Sequence, residues 1–270
     1  MTTTEFWRAA ESIHSVVYYA PETKARYQAT GLKGFWMGYI ASRAAALGTP
    51  SPELVIATFH GFAPRAIHRA IPDAWGFASR DDVLTARLQL ARDTLAAMLG
   101  DRDVEQVSRE MAAIVDGLDL AGKPLGAAHA GLPMPDDALG RLWHAASVLR
   151  EYRGDCHIAV LTSAGLDGAA ANALAVVMGL TAPETQQSRG WTDEEWQAAF
   201  GRLRLLGWVD AEGAPTDTGR AARARLEDAT DRAANVGIDR EATARTITVM
   251  PQLTAISEAI KASGLVPDLR

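Results

Sequence analysis

One cysteine, Cys156, stands among 270 residues. A lone thiol forms no intrachain disulfide and no cysteine-based zinc site, and it fits a reducing compartment. Aromatic residues are sparse, at 7%. No apolar run approaches the roughly 20 residues a bilayer requires, so no membrane span is expected. The opening MTTTEFWRAAESIH lacks a basic segment followed by an apolar core, so no signal peptide is expected and the cytoplasm is the expected location. Basic residues are also in short supply: 27 Lys and Arg face 33 Asp and Glu, for a formal net charge of −6. General nucleic-acid binders draw most of their affinity from phosphate neutralisation, so this balance argues against that class while leaving room for a local basic patch. The sequence has no GxxxxGK turn, GxGxxG turn, GxSxG elbow or HExxH helix, and no motif for haem. It names no cofactor and no metal.

What remains reads as helix after helix. With 48% hydrophobic and 22% charged residues the chain is an ordinary globular protein of one or two domains. Thr3 or Thr4 is placed to cap a helix to about Tyr19. Residues 32–47 carry Leu32, Phe35, Trp36, Tyr39, Ile40 and Arg43 at helical spacing, closed by Gly48 and Pro50. Ser51-Pro52-Glu53 opens another helix. Ser79-Arg80-Asp81-Asp82 resembles a capping box for a helix ending near Gly100, and Asp101 is read as capping one to about Asp116. Gly and Pro accumulate in 117–135, so a linker is expected there. Asp136 or Asp137 then starts a helix to about Tyr152. Arg153-Gly154-Asp155 reads as a break, with Asp155 capping the helix that follows.

The last third has a distinct order. Asp167 caps a helix through Gly179, and Trp191-Thr192-Asp193-Glu194-Glu195 contains a strong capping box. Trp196, Phe200, Leu203 and Leu206 give the next helix an apolar face. Trp208-Val209, a turn at 210–213 and Ala214-Pro215-Thr216 predict a short β-hairpin, before a long helix from Gly219. The expected fold is mainly α: an N-terminal helical domain (1–120), a linker (121–135), a winged-helix-like domain (136–235) with one small hairpin, and a C-terminal helix (236–270).

Three blocks, LVIATFHGFAPRAIHRAIPDAW at 54–75, LREYRGDCHIAVLTSAGLDG at 149–168 and WTDEEWQAAFGRLRLLGWVDAEGAPTDTGR at 191–220, resemble an uncharacterised actinobacterial-type family. Its members are mainly helical and contain a winged-helix, MarR-like segment. The resemblance covers most of the chain and implies the fold; it names no catalytic residue. In such a segment the helix over 193–206 is the one that would read DNA, through its first turn. Here that turn is Asp193, Glu194 and Glu195, and the wing at 210–213 carries two acids and no base. DNA is therefore a possible but disfavoured partner.

The densest run of reactive groups is Arg150 to His157. Arg150, Arg153 and His157 fall at i, i+3 and i+7, so a nearly continuous helix puts all three on one face. Two arginines beside a helix terminus suit an anion, and Glu151 or Asp155 is placed to orient His157 as a general base. The competing reading is an ion-pair network that locks the two halves together. A second cluster holds His60 between Phe59 and Phe62, with Arg65 nearby; a histidine so placed is more often core than ligand. If the helices bring His60, Arg65 and Arg43 to Arg150 and His157, a basic, aromatic-walled pocket results. The leading expectation is thus a protein that binds a small anionic or planar molecule between its two parts, with catalysis by His157, Glu151 and Asp155 left open. The alternatives are a ligand-responsive transcription regulator, expected as a homodimer, and a structural or protein-interaction module.

Overall fold

The computed structural model describes residues 4–266. Its elements are α1 (Thr4–Tyr19), α2 (Thr23–Gln28), α3 (Gly34–Ala44) running into a 3-10 turn (Ala45–Leu47), α4 (Pro52–Phe59), α5 (Pro64–His68), α6 (Ala74–Phe77), α7 (Arg80–Leu99) and α8 (Glu105–Asp116). After them come α9 (Pro124–Ala130), α10 (Ala138–Ser163), α11 (Gly168–Val177), α12 (Thr185–Ser188), α13 (Asp193–Leu205), α14 (Asp217–Val236) and α15 (Arg240–Ala262). Many of the starts are set by local chemistry. Side chains of Ser51, Ser79, Asp137, Asp167, Thr216 and Asp239 each accept a backbone N–H of the first turn, as expected of capping residues. Thr192 and Glu195 complete the capping box at α13.

The central element is α10. It is 26 residues long and buries fourteen of them, because α1, α7, α8, α9 and α14 surround it. Its first two-thirds, Leu142 to Cys156, lie in a large core built with α1, α7, α8 and α15. Its end enters a second, smaller core, where Leu161 meets Leu166, Ala170, Leu174, Trp196, Leu203, Val209 and Leu226. The helix α15 and the end of α14 return to the large core through Ala234, Val249, Leu253 and Ile256.

Several expectations change. The helix does not break at Arg153-Gly154-Asp155: α10 runs straight through. Gly154 costs about 1 kcal/mol relative to Ala in a helix, and the flanking side chains find partners that hold the helix through it. Arg153 pairs with Glu227 and Asp231 of α14. Asp155 caps no helix of its own; it accepts the amides of Leu125 (2.9 Å) and Gly126 (2.8 Å) at the start of α9. The stretch read as a linker carries α9, with Leu125 and His129 buried; Gly126 lies so close to the Tyr152 backbone that a side chain would not fit. Asp101 starts no helix: α8 begins at Glu105, whose amide goes to Asp103. Thr3 lies outside the described residues. The hairpin reduces to one isolated bridge, Val209 with Pro215, so the described fold is helical without a named strand.

Gly168, at the start of α11, packs against the carbonyl of His60, and an added Cβ would collide with it. Gly201, inside α13, has nothing within 4 Å of that position. Gly168→Ala should therefore lower stability by about 1–3 kcal/mol, while Gly201→Ala should leave it level or raise it by about 0.5–1 kcal/mol. Urea denaturation of both variants checks this; equal effects would show that the α11 seat is not tight.

Candidate functional site

A cleft of about 720 Å³ opens between α1, α10, α14 and the end of α11. Arg150, Arg153 and His157 all line it, on the face their spacing predicted, together with Thr4, Trp7, Arg8, Glu11, Arg220, Arg223 and Glu227. Ala175, Met178, Leu180 and Ala224 supply an aliphatic wall. Most of the charges are paired. Arg150 reaches Glu11 (3.0 Å) and Glu151 (2.7 Å). Arg153 holds Glu227 and Asp231, and Arg223 shares Glu227 at 2.6 Å. Burial would raise the Glu227 carboxyl, but these arginines take it down to about 2. Arg220 has only the exposed Asp217, at 3.5 Å, and Arg8 has no ion pair among the described residues.

The imidazole of His157 is neutral, since burial pushes it down to about 4. Its tautomer follows from one hydrogen-bond chain. The Thr230 hydroxyl donates to the Leu226 carbonyl (2.8 Å), so His157 Nδ1, 2.9 Å from that hydroxyl, is the donor between them. His157 Nε2 then carries a lone pair, and no described protein group is bonded to it. Neither Glu151 nor Asp155 orients this ring, contrary to expectation; Thr230 does.

Glu151 does something else. It is fully buried and receives Arg43 through two parallel bonds of 2.7 Å, with Arg150 on its second oxygen. Arg43 lies below the cleft and does not line it; its guanidinium stacks on Phe59 at 4.3 Å. Burial alone would raise the Glu151 carboxyl, yet Arg150 and Arg43 hold it well below the usual range. Beside it a relay runs Arg87 to Tyr18 (2.8 Å) to His14 (3.0 Å) to Ser147 (2.9 Å) to the Trp143 carbonyl (2.9 Å). Because Ser147 donates onward, His14 is protonated at Nδ1 alone.

His60 and Arg65 do not close this cleft. Arg65 forms a two-bond pair with Glu195 (2.5 and 2.7 Å) and donates to the Gly190 carbonyl. His60 ends α4 at φ 30°, a strained conformation for a residue with a side chain, and its carbonyl abuts Gly168. The Gly61 carbonyl accepts from Asn172 (2.6 Å) and Trp191 (3.2 Å), and the Ala63 amide donates to the Arg189 carbonyl (2.9 Å). The 60–65 segment thus seats α11, α12 and α13, and the acidic first turn of α13 is tied to Arg65. The aromatic cluster of Phe59, Phe62, Tyr39 and Trp36 stands apart from the cleft, whose rings are the Trp7 indole and the His157 imidazole. Burial would raise the Tyr39 phenol, but the Arg189, Arg43 and Arg150 guanidiniums lower it. Among the described residues no group of three His, Cys, Asp or Glu is placed to hold a metal. No single described helix is long and apolar enough to cross a membrane.

α11 and α13, separated by residues 178–192 with the short α12 between them, pack on a shared small core. The chain matches a family model described as a helix-turn-helix family over residues 3–267. It belongs to that helix-turn-helix family. No curated protein and no solved structure matches it. Sequence reasoning missed Trp7, Arg8, Glu11, Arg220, Arg223 and Glu227 as cleft residues. Their spacing, Arg220, Arg223 and Glu227 on one face of a helix, was the available signal.

Glu151→Gln should cost about 3–5 kcal/mol, because Arg43 and Arg150 are left buried without their charge partner; urea denaturation reads it. Stability should also fall as pH drops from about 6.5 to about 4. Burial keeps His144 and His157 neutral down to about 4 and His129 down to about 3, so the unfolded chain binds more protons across that window. Asp155, pushed up to about 6 by burial and by Glu151 despite its two amide donors, runs the other way but is a single group. A melting temperature unchanged between pH 7 and 4.5 would contradict this.

Proposed function

We propose that this protein is a ligand-responsive, DNA-binding regulator, with the cleft as its effector site and a winged-helix-like arrangement of α11 to α14. The observation that carries the reading is the sharing of two helices. Arg150, Arg153 and His157 of α10, with Arg220, Arg223 and Glu227 of α14, wall the cleft, while Leu161 and Leu226 of the same helices enter the helix-turn-helix core. A molecule wedged between α1 and α14 acts directly on the helices that carry α11 and α13. DNA contact in this arrangement falls to Arg204 and Arg225, which are exposed, and half-buried Arg202. These are phosphate contacts rather than base reading, since the first turn of α13 is acidic and held by Arg65. A homodimer on paired half-sites is part of the reading.

A second reading treats the helix-turn-helix as scaffold and the cleft as the whole function. That acidic first turn favours it, because phosphates repel carboxylates. A gel-shift series with the upstream intergenic DNA separates the two. The regulator reading expects retardation at low salt that falls steeply as salt rises. In Arg204→Glu/Arg225→Glu the slope of log K against log salt should shrink by about 0.9 per lost phosphate contact. Absence of any shift at low salt removes the regulator reading and leaves the second.

A further inference from the structure

We infer that the cleft takes an aliphatic organic anion that also carries a hydroxyl group, such as a medium-chain hydroxycarboxylate. This rests on the reading of the cleft as a ligand site and specifies its ligand. Three features of the lining select the class.

The first is charge. Five arginines line the cleft, and carboxylates answer Arg150, Arg153 and Arg223 from within hydrogen-bond distance. Arg8 has no such partner, and Arg220 has only a distant, solvent-exposed one. Their guanidiniums are the ones available to a ligand carboxylate, and a cationic ligand would meet an excess of like charge. The second is the wall. Ala175, Met178, Leu180 and Ala224 are aliphatic, whereas the aromatic cluster that would stack a planar molecule lies elsewhere. Burying a flexible alkyl chain there is favourable in proportion to the apolar area removed from water, and the volume is in the range of small-molecule sites.

The third is His157. With Nδ1 donating to Thr230, the ring offers Nε2 as an acceptor from the cleft wall. It is neutral at pH 7, so it does not bind an anion by charge. It recognises a donor. A carboxylate alone leaves it unused, while a hydroxyl elsewhere on the same chain satisfies it.

The test is isothermal titration of the full chain, without DNA, against 3-hydroxydodecanoate, 12-hydroxydodecanoate, dodecanoate, dodecylammonium and inorganic phosphate. At least one hydroxyacid should bind more tightly than dodecanoate, and dodecylammonium and phosphate should not bind. Arg8→Ala/Arg220→Ala, at two exposed positions, should weaken hydroxyacid binding about tenfold or more, the scale of a lost charge-assisted hydrogen bond. His157→Ala should abolish the preference for hydroxyacid over dodecanoate while dodecanoate affinity is kept. Binding of dodecylammonium or phosphate in place of the anions, equal affinity of dodecanoate and both hydroxyacids, or unchanged affinity in the arginine variant overturns the inference. A hydroxyacid that binds as expected yet leaves the gel shift unaltered upholds the ligand class and sinks the regulator reading instead.

Discussion

The Glu151 carboxylate, closed off from solvent between Arg43 and Arg150, is the constraint on which the rest of the molecule depends. An isolated charge at that depth is prohibitive, and a charge with two guanidiniums is tolerable only when all three groups keep their geometry. Arg43 comes from α3, Arg150 and Glu151 from α10, and Glu11 of α1 completes the shell. Three helices are thereby fixed in register before any apolar contact is considered. The neutral histidine at 14, with its directed bonds to Tyr18 and Ser147, extends the same requirement across α1 and α10. Polar groups this deep define one arrangement of helices, where a purely apolar interface would allow several.

That network and the cleft share a residue. Arg150 turns one guanidinium nitrogen inward to Glu151 and another toward Glu11 at the cleft wall. The cleft floor is therefore rigid, while its rim, with Arg8 and Arg220, is exposed. A rigid floor and an open rim suit recognition followed by adjustment of the rim, which lies on α1 and α14.

How far the sequence was legible follows the range of the interactions. Caps at Ser51, Ser79, Asp137, Asp167 and Thr192 were readable because a side chain bonds to an amide three residues on. The common face of Arg150, Arg153 and His157 was readable from helical spacing. Partners were not: nothing local indicates that Glu227 and Asp231 meet Arg153, or that Thr230 sets the His157 tautomer. Gly154 misled for a related reason. Local propensity marks it as a break, whereas its neighbours Arg153 and Asp155 bond to α14 and α9 and the helix stays whole. The 117–135 segment misled in the same way, since its Gly and Pro content hides that Gly126 is there to let α9 approach Tyr152. His60 and Arg65 were read as closing the pocket, but their partners belong to α11–α13 and not to the cleft.

The continuity of α10 has a mechanical consequence. Eleven residues separate Arg150 from Leu161, about 16 Å along the axis at 1.5 Å per residue. Pinned at Glu151, the helix is a lever whose far arm lies in the core beneath α11 and α13. A tilt of about 4° around that pivot carries Leu161 about 1 Å at this helical rise, an amount a close-packed interior cannot absorb without repacking. Had the helix broken at Gly154, the two arms would swing independently.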